Sequence, residues 1–94
     1  MASELADLLD PWQPALLELI RITAEAGAAV GKSVGVCGEA AASPALAPVL
    51  VGLGVTSLSM SASAVADVRD ALAAVTLAEC REMASEALAG RRAR

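Results

Sequence analysis

The chain has 94 residues, a net charge of −4, two cysteines and no histidine. That length allows one domain at most, and the acidic balance excludes a nucleic-acid grip, which needs clustered Lys and Arg. The missing histidine excludes Ser-His and Cys-His catalysis within this chain, and two cysteines without a spacing pattern make neither a secreted disulfide framework nor a zinc site.

Taken in order, Ser3 to Leu9 carries Leu5, Leu8 and Leu9 at helical spacing, with Ser3 as N-cap and Glu4 and Asp7 in the first turn. This acidic, amphipathic start is not a signal peptide, so the cytoplasm is the expected location. Asp10-Pro11 breaks the helix. Pro14 then suits the first turn of a second helix, with Leu16, Leu17, Ile20, Ala24 and Ala28 on its apolar side and Gly31 as its stop. Gly27 to Ser33 resembles a phosphate-binding loop but has three residues between its glycines where four are required. It also follows a helix and opens a strand, the reverse of the required order, so it reads as a helix C-cap and turn.

Val34, Val36 and Cys37 form a first strand. Gly38 and Glu39 lead into a short loop, and Ser43-Pro44 opens a helix whose regular part begins near Ala47. Val49, Leu50 and Leu53 are its apolar face, and Gly52 and Gly54 mark its end. Ser57-Leu58-Ser59-Met60-Ser61 alternates with period two and reads as a second strand. Its hydroxyls line a cavity or fit a tight barrel interior. A helix follows with Val65, Val68, Leu72 and Val75 on one stripe. Thr76 and Glu79 then fit a capping box for a last helix, with Leu77, Cys80, Ala84 and Leu88 inward, Glu82 and Glu86 outward, and Gly90 as cap. Cys80 is expected to be an inert, buried small hydrophobe. Arg91, Arg92 and Arg94 read as a solvated helix end.

Between Ala40 and Ala66 no residue is charged. Four proline and glycine positions (Pro44, Pro48, Gly52, Gly54) and the serines argue for a buried α/β core, with no membrane insertion. Apolar residues are 56% of the chain but aromatics only 1%, the single Trp12. Such a thin Ala/Val/Leu core is expected to lean on a partner surface or on further chain. The expected fold class is α/β, in the order α-α-β-α-β-α-α. A helix between the two strands implies parallel pairing. Two strands leave unpaired edges, so residues 1–94 read as an incomplete domain, a partial (βα)8 barrel segment.

Cys37 sits where a parallel strand leaves its sheet, the position at which such folds place chemistry. Gly35-Val36-Cys37-Gly38-Glu39-Ala40, then Gly52-Leu53-Gly54, then Ser57-Leu58-Ser59-Met60-Ser61 resembles the end of the phosphoenolpyruvate-binding barrel of the enzyme I family. Asp10-Pro11-Trp12-Gln13-Pro14-Ala15-Leu16-Leu17 is similar to the helix before that barrel's seventh strand. Enzyme I is the phosphoenolpyruvate–protein phosphotransferase of the bacterial sugar phosphotransferase system. Pyruvate phosphate dikinase and phosphoenolpyruvate synthase have a related barrel.

The resemblance implies a segment made of the last two βα units of that barrel with flanking helices. It implies an enzyme that moves the phosphoryl group of phosphoenolpyruvate to its own histidine and on to the carrier protein HPr. It also implies that Cys37 is the proton donor to the pyruvate enolate. The chemistry is sound: a free thiol titrates near 8.5 and mostly keeps its proton at neutral pH. A buried thiol away from cations is suited to general acid work, not to nucleophilic attack. The histidine, the Mg2+ ligands and the substrate-binding arginines of the family are expected outside this chain, so no substrate-binding or metal residue is assigned, Glu39 included. Arg21 and Arg69 match no substrate position. Alone, the chain is expected to be inactive and to self-associate through its strand edges as a homo-oligomer. The rival readings are a non-enzymatic, self-associating α/β module and a fragment of pyruvate phosphate dikinase or phosphoenolpyruvate synthase.

Overall fold

The computed structural model describes residues 10–91, and the expected helix from Ser3 to Leu9 lies outside them. In chain order they form α1 (Pro14–Ala29), β1 (Gly35–Cys37), α2 (Ala47–Gly52), β2 (Ser57–Ser59), α3 (Ala62–Ala73) and α4 (Leu77–Leu88). Apart from the undescribed first helix, this is the expected succession of helices and strands. The two strands pair in parallel, Gly35 with Ser57, Val36 with Leu58 and Cys37 with Ser59.

Local chemistry accounts for several of the boundaries. The Asp10 carboxylate accepts a hydrogen bond from the Trp12 backbone N–H at 3.0 Å, closing the turn that precedes α1. Pro14 then occupies the first turn of α1, where a missing N–H costs nothing. At the other end Lys32 N–H returns to the Gly27 carbonyl at 2.8 Å, and Gly31 takes φ +72°. The glycine-lysine-serine run is therefore a helix stop that directly follows α1. Ser43 caps the approach to α2, its Oγ accepting from Leu46 N–H at 3.2 Å. Thr76 and Glu79 form the reciprocal capping box at α4: the Thr76 hydroxyl accepts from Glu79 N–H at 3.1 Å and the Glu79 carboxylate from Thr76 N–H at 2.9 Å.

The core is built around α2. Ala47, Pro48, Val49 and Leu50 are all buried in a helix of six residues. Leu17 from α1, Leu46, Leu53, Val55, and Ala84 and Ala87 from α4 complete the cluster, and Trp12, Ile20, Val36, Leu58 and Met83 pack on its margin. The uncharged run from Ala40 to Ala66 thus supplies the core residues from Leu46 to Leu50 with Leu53 and Val55, while Ser57, Ser59 and Ser61 to Ser63 within it are exposed. Among the described residues no helix is long and apolar enough to cross a membrane.

Close approach of α2 and α4 depends on one glycine. A Cβ on Gly52 would stand 2.1 Å from the Cys80 carbonyl oxygen and 2.9 Å from the Ala84 Cβ. Gly52 does end its helix, as expected, but its missing side chain also lets α4 lie against the α2 backbone.

Three expectations need correction. The second strand stops at Ser59 instead of Ser61, because Met60 and Ser61 turn the chain into α3 and Ser61 becomes its N-cap. Leu77 is 51% exposed instead of inward. The whole first turn of α4, Leu77 to Glu79, is exposed and burial begins at Cys80, while Ala87 takes a core place instead. Ala28, expected on the apolar side of α1, is exposed, because that helix's buried line of Leu17 and Ala24 ends a turn earlier.

Candidate functional site

Side chains alternate along both strands. Val36 and Leu58 turn toward the helices and pack against the core, whereas Gly35, Cys37, Ser57 and Ser59 are exposed together on the other face. That face holds small groups only. A Cβ on Gly35 would meet the Ser57 Oγ at 2.5 Å, so the β2 hydroxyl leans across the gap onto β1.

Cys37 is the last residue of β1. Directly after it Gly38 takes φ +88°, a conformation that favours glycine. Gly38 N–H donates to the Ser59 carbonyl at 3.1 Å, which ties the turn to β2. Ala42 N–H reaches back to Gly38 and Glu39 carbonyls, each at 3.2 Å, and Ala41 is fully buried beneath. The thiol is thus presented at a carboxyl strand end held by backbone hydrogen bonds on both sides. One expectation fails here: Cys37 is exposed, not buried. Its place in the period-two alternation turns it away from the helices, and two strands alone supply nothing to cover that face. The burial invoked to keep the thiol protonated is therefore not supplied by the described residues.

Cys80 behaves as expected. It is 3% exposed. Loss of solvent pushes its thiol above the ordinary range, and the Glu79 carboxylate adds to that. The two cysteines are free.

The cations are placed elsewhere. Arg21 pairs with Glu18 and Glu25 on its own helix face. The hydrogen bond from Arg21 draws the Glu18 carboxyl below its usual value, and the Glu18 carboxylate raises the guanidinium in turn. Arg69 lies at an apolar cleft of about 310 Å3 between β2 and α3, lined by Val51, Val55, Leu58, Val65 and Val68. Neither arginine is on the Cys37 face of the sheet. Among the described residues no group of three His, Cys, Asp or Glu side chains could hold a metal ion.

Sequence reasoning placed Cys37 at the strand end but missed the pairing that sets Ser59 beside it. Both strands carried the period-two signal. Their mutual register, which decides who neighbours whom, is a property of the paired structure.

The profile of the family described as PEP-utilising enzyme, PEP-binding domain, matches residues 1–77, a span that includes both strands and Cys37. The chain belongs to this family. The phosphoenolpyruvate-protein phosphotransferase of Streptomyces coelicolor is 62% identical over 82 residues, covering 87% of this chain and 15% of that protein. The protein of the same name from Mycoplasma genitalium is 40% identical over 88 residues, or 94% of this chain and 15% of its own length. The one from Haloferax volcanii is 42% identical over 83 residues, or 88% and 15%. The chain therefore spans about 15% of the length of the curated relatives it matches.

Proposed function

We propose that this chain is the C-terminal barrel segment of a cytoplasmic phosphoenolpyruvate-protein phosphotransferase of a sugar-transport system, and that Cys37 is its proton donor. The observation that carries the reading is the position of Cys37 at the carboxyl end of a parallel strand, on a face of small uncharged groups, inside the matched segment. In the reaction, the phosphoryl group leaves phosphoenolpyruvate for a histidine that this chain does not contain. The enolate left behind then forms a C–H bond at its methylene carbon as the Cys37 S–H bond breaks, giving pyruvate and a thiolate. A neutral, narrow face admits the flat enolate and offers no competing acid.

Phosphoenolpyruvate, HPr and Mg2+ are partners of the longer protein under this proposal. The described residues do not fit a magnesium site, since they assemble no cluster of carboxylates. The chain alone is inactive under this reading. The two free strand edges and the apolar clefts beside them favour self-association of the isolated segment.

The test is complementation. A phosphoenolpyruvate-protein phosphotransferase truncated by its C-terminal 15% is mixed with this chain, phosphoenolpyruvate, Mg2+ and HPr, and pyruvate release is followed. Recovery is expected with the native chain, none with the chain alone, and a loss of about 10²–10⁴-fold with Cys37→Ala. Full recovery by Cys37→Ala would remove the acid role. Sedimentation separates the rival reading: self-association without any complementation points to a non-enzymatic module.

A further inference from the structure

We propose that Ser59 is a positioning residue for Cys37, its hydroxyl donating a hydrogen bond to the sulfur as the proton leaves. This rests on the reading of Cys37 as the acid. The two residues are register partners on one face of the sheet, and neighbouring strands lie about 4.8 Å apart. One χ1 rotation of either side chain spans that gap, since staggered rotamers swing the terminal atom sideways along or across the sheet. The structure already shows a β2 hydroxyl making this lean. Ser57, two residues earlier on the same face, hangs over Gly35 closely enough that a Cβ there would be 2.5 Å from its Oγ.

The Ser59 hydroxyl is uncommitted. Thr56 bonds Val34, Ser43 bonds Leu46 and Ser61 contacts Ser63, whereas neither Ser59 Oγ nor the Cys37 thiol has a partner among the described residues. Its backbone is not free to drift, because the Ser59 carbonyl accepts from Gly38 N–H, next to the cysteine.

The chemistry calls for a neutral donor at this place. Proton transfer leaves a thiolate, and the face around it carries no cation. Glu39 is the titratable group nearest along the chain, and β2, the strand paired with β1, carries none; Glu18, Arg21 and Glu25 belong to α1 on the helical side of the sheet. A hydroxyl donor stabilises the new anion without trapping it, so the sulfur can be reprotonated before the next turnover. No bond to Ser59 forms or breaks.

The test is alkylation of this chain by iodoacetamide, with peptide mass spectrometry reading Cys37 apart from Cys80. Thiolate is the reacting species. At about pH 7.5, Ser59→Ala is expected to slow Cys37 alkylation about three- to fivefold, the worth of one ordinary hydrogen bond. Ser59→Thr restores the rate, Ser57→Ala leaves it unchanged, and at about pH 10.5 all four proteins react alike. Circular dichroism verifies the fold of each variant. A Ser59→Ala rate equal to wild type, a loss that Ser59→Thr does not restore, or equal slowing by Ser57→Ala overturns the proposal. None of these results depends on turnover, so they are separable from complementation by Cys37→Ala, which tests the acid itself.

Discussion

Two cysteines divide this molecule into a closed side and an open one. Cys80 lies in the seam between α2 and α4, 3% exposed, with its carbonyl oxygen pressed onto Gly52. Cys37 stands at a strand end on a face that nothing in the described chain covers. The closed side is where folding energy is concentrated: burying a Leu or Val side chain contributes roughly 1.5–3 kcal/mol, and the fully buried Leu17, Leu46, Val49 and Leu50 all belong to it. The open side contributes little to stability and presents an exposed, free thiol. The same residue type thus has opposite uses, set by which face of which element carries it.

The largest test of this division is Gly52→Ala. On helix propensity alone the change would stabilise by about 0.5–1 kcal/mol. A Cβ 2.1 Å from the Cys80 carbonyl oxygen reverses the sign, because backbone on both sides must move. The expected result is a loss of about 1–3 kcal/mol in urea unfolding, together with faster alkylation of Cys80 as the seam opens. An unchanged or raised midpoint would show that the seam is not tightly closed.

A smaller effect comes from pH. Burial holds the Cys80 thiol above its ordinary value, so the folded state keeps a proton that the unfolded state gives up. Folding stability is therefore full below the unfolded thiol value, about 8.5, and declines as pH rises from there toward the folded value. Equilibrium unfolding between about pH 8 and 10 should show that decline, and Cys80→Ala should flatten it. A decline of equal slope in Cys80→Ala would assign it to other groups.

Smallest of all is Cys37→Ala, which should change stability by no more than about 0.5 kcal/mol, as for other exposed positions. The same substitution carries the largest expected loss in the complementation assay. A destabilisation of 2 kcal/mol or so, the size of a core truncation, would place Cys37 in the core and erase the contrast.

Much of this was legible in the chain itself. Capping residues act through their immediate neighbours, so Thr76 with Glu79, Pro14 and Gly31 marked their helix ends without any tertiary information. The period-two pattern of Ser57 to Ser61 identified a strand, and an intervening helix implied the parallel pairing that β1 and β2 show. The motif around Cys37 led to the family that the comparisons then established. Less legible were Leu77 and the end of β2. Both depend on tertiary context: burial along α4 begins only at Cys80, and the chain must leave the sheet to begin α3.

By itself, then, the sequence determined the element types, the capped helix ends and the family, because those are set by contacts a few residues long and by residue identities in a motif. Only the tertiary structure decided that Gly52 is a contact surface, that Cys37 is exposed, and that Ser59 is its neighbour. Each of these depends on residues 22 to 32 positions apart being brought together, and on the free side of a two-stranded sheet. Local propensity carries no record of distance across the fold, whereas packing and register are made of nothing else.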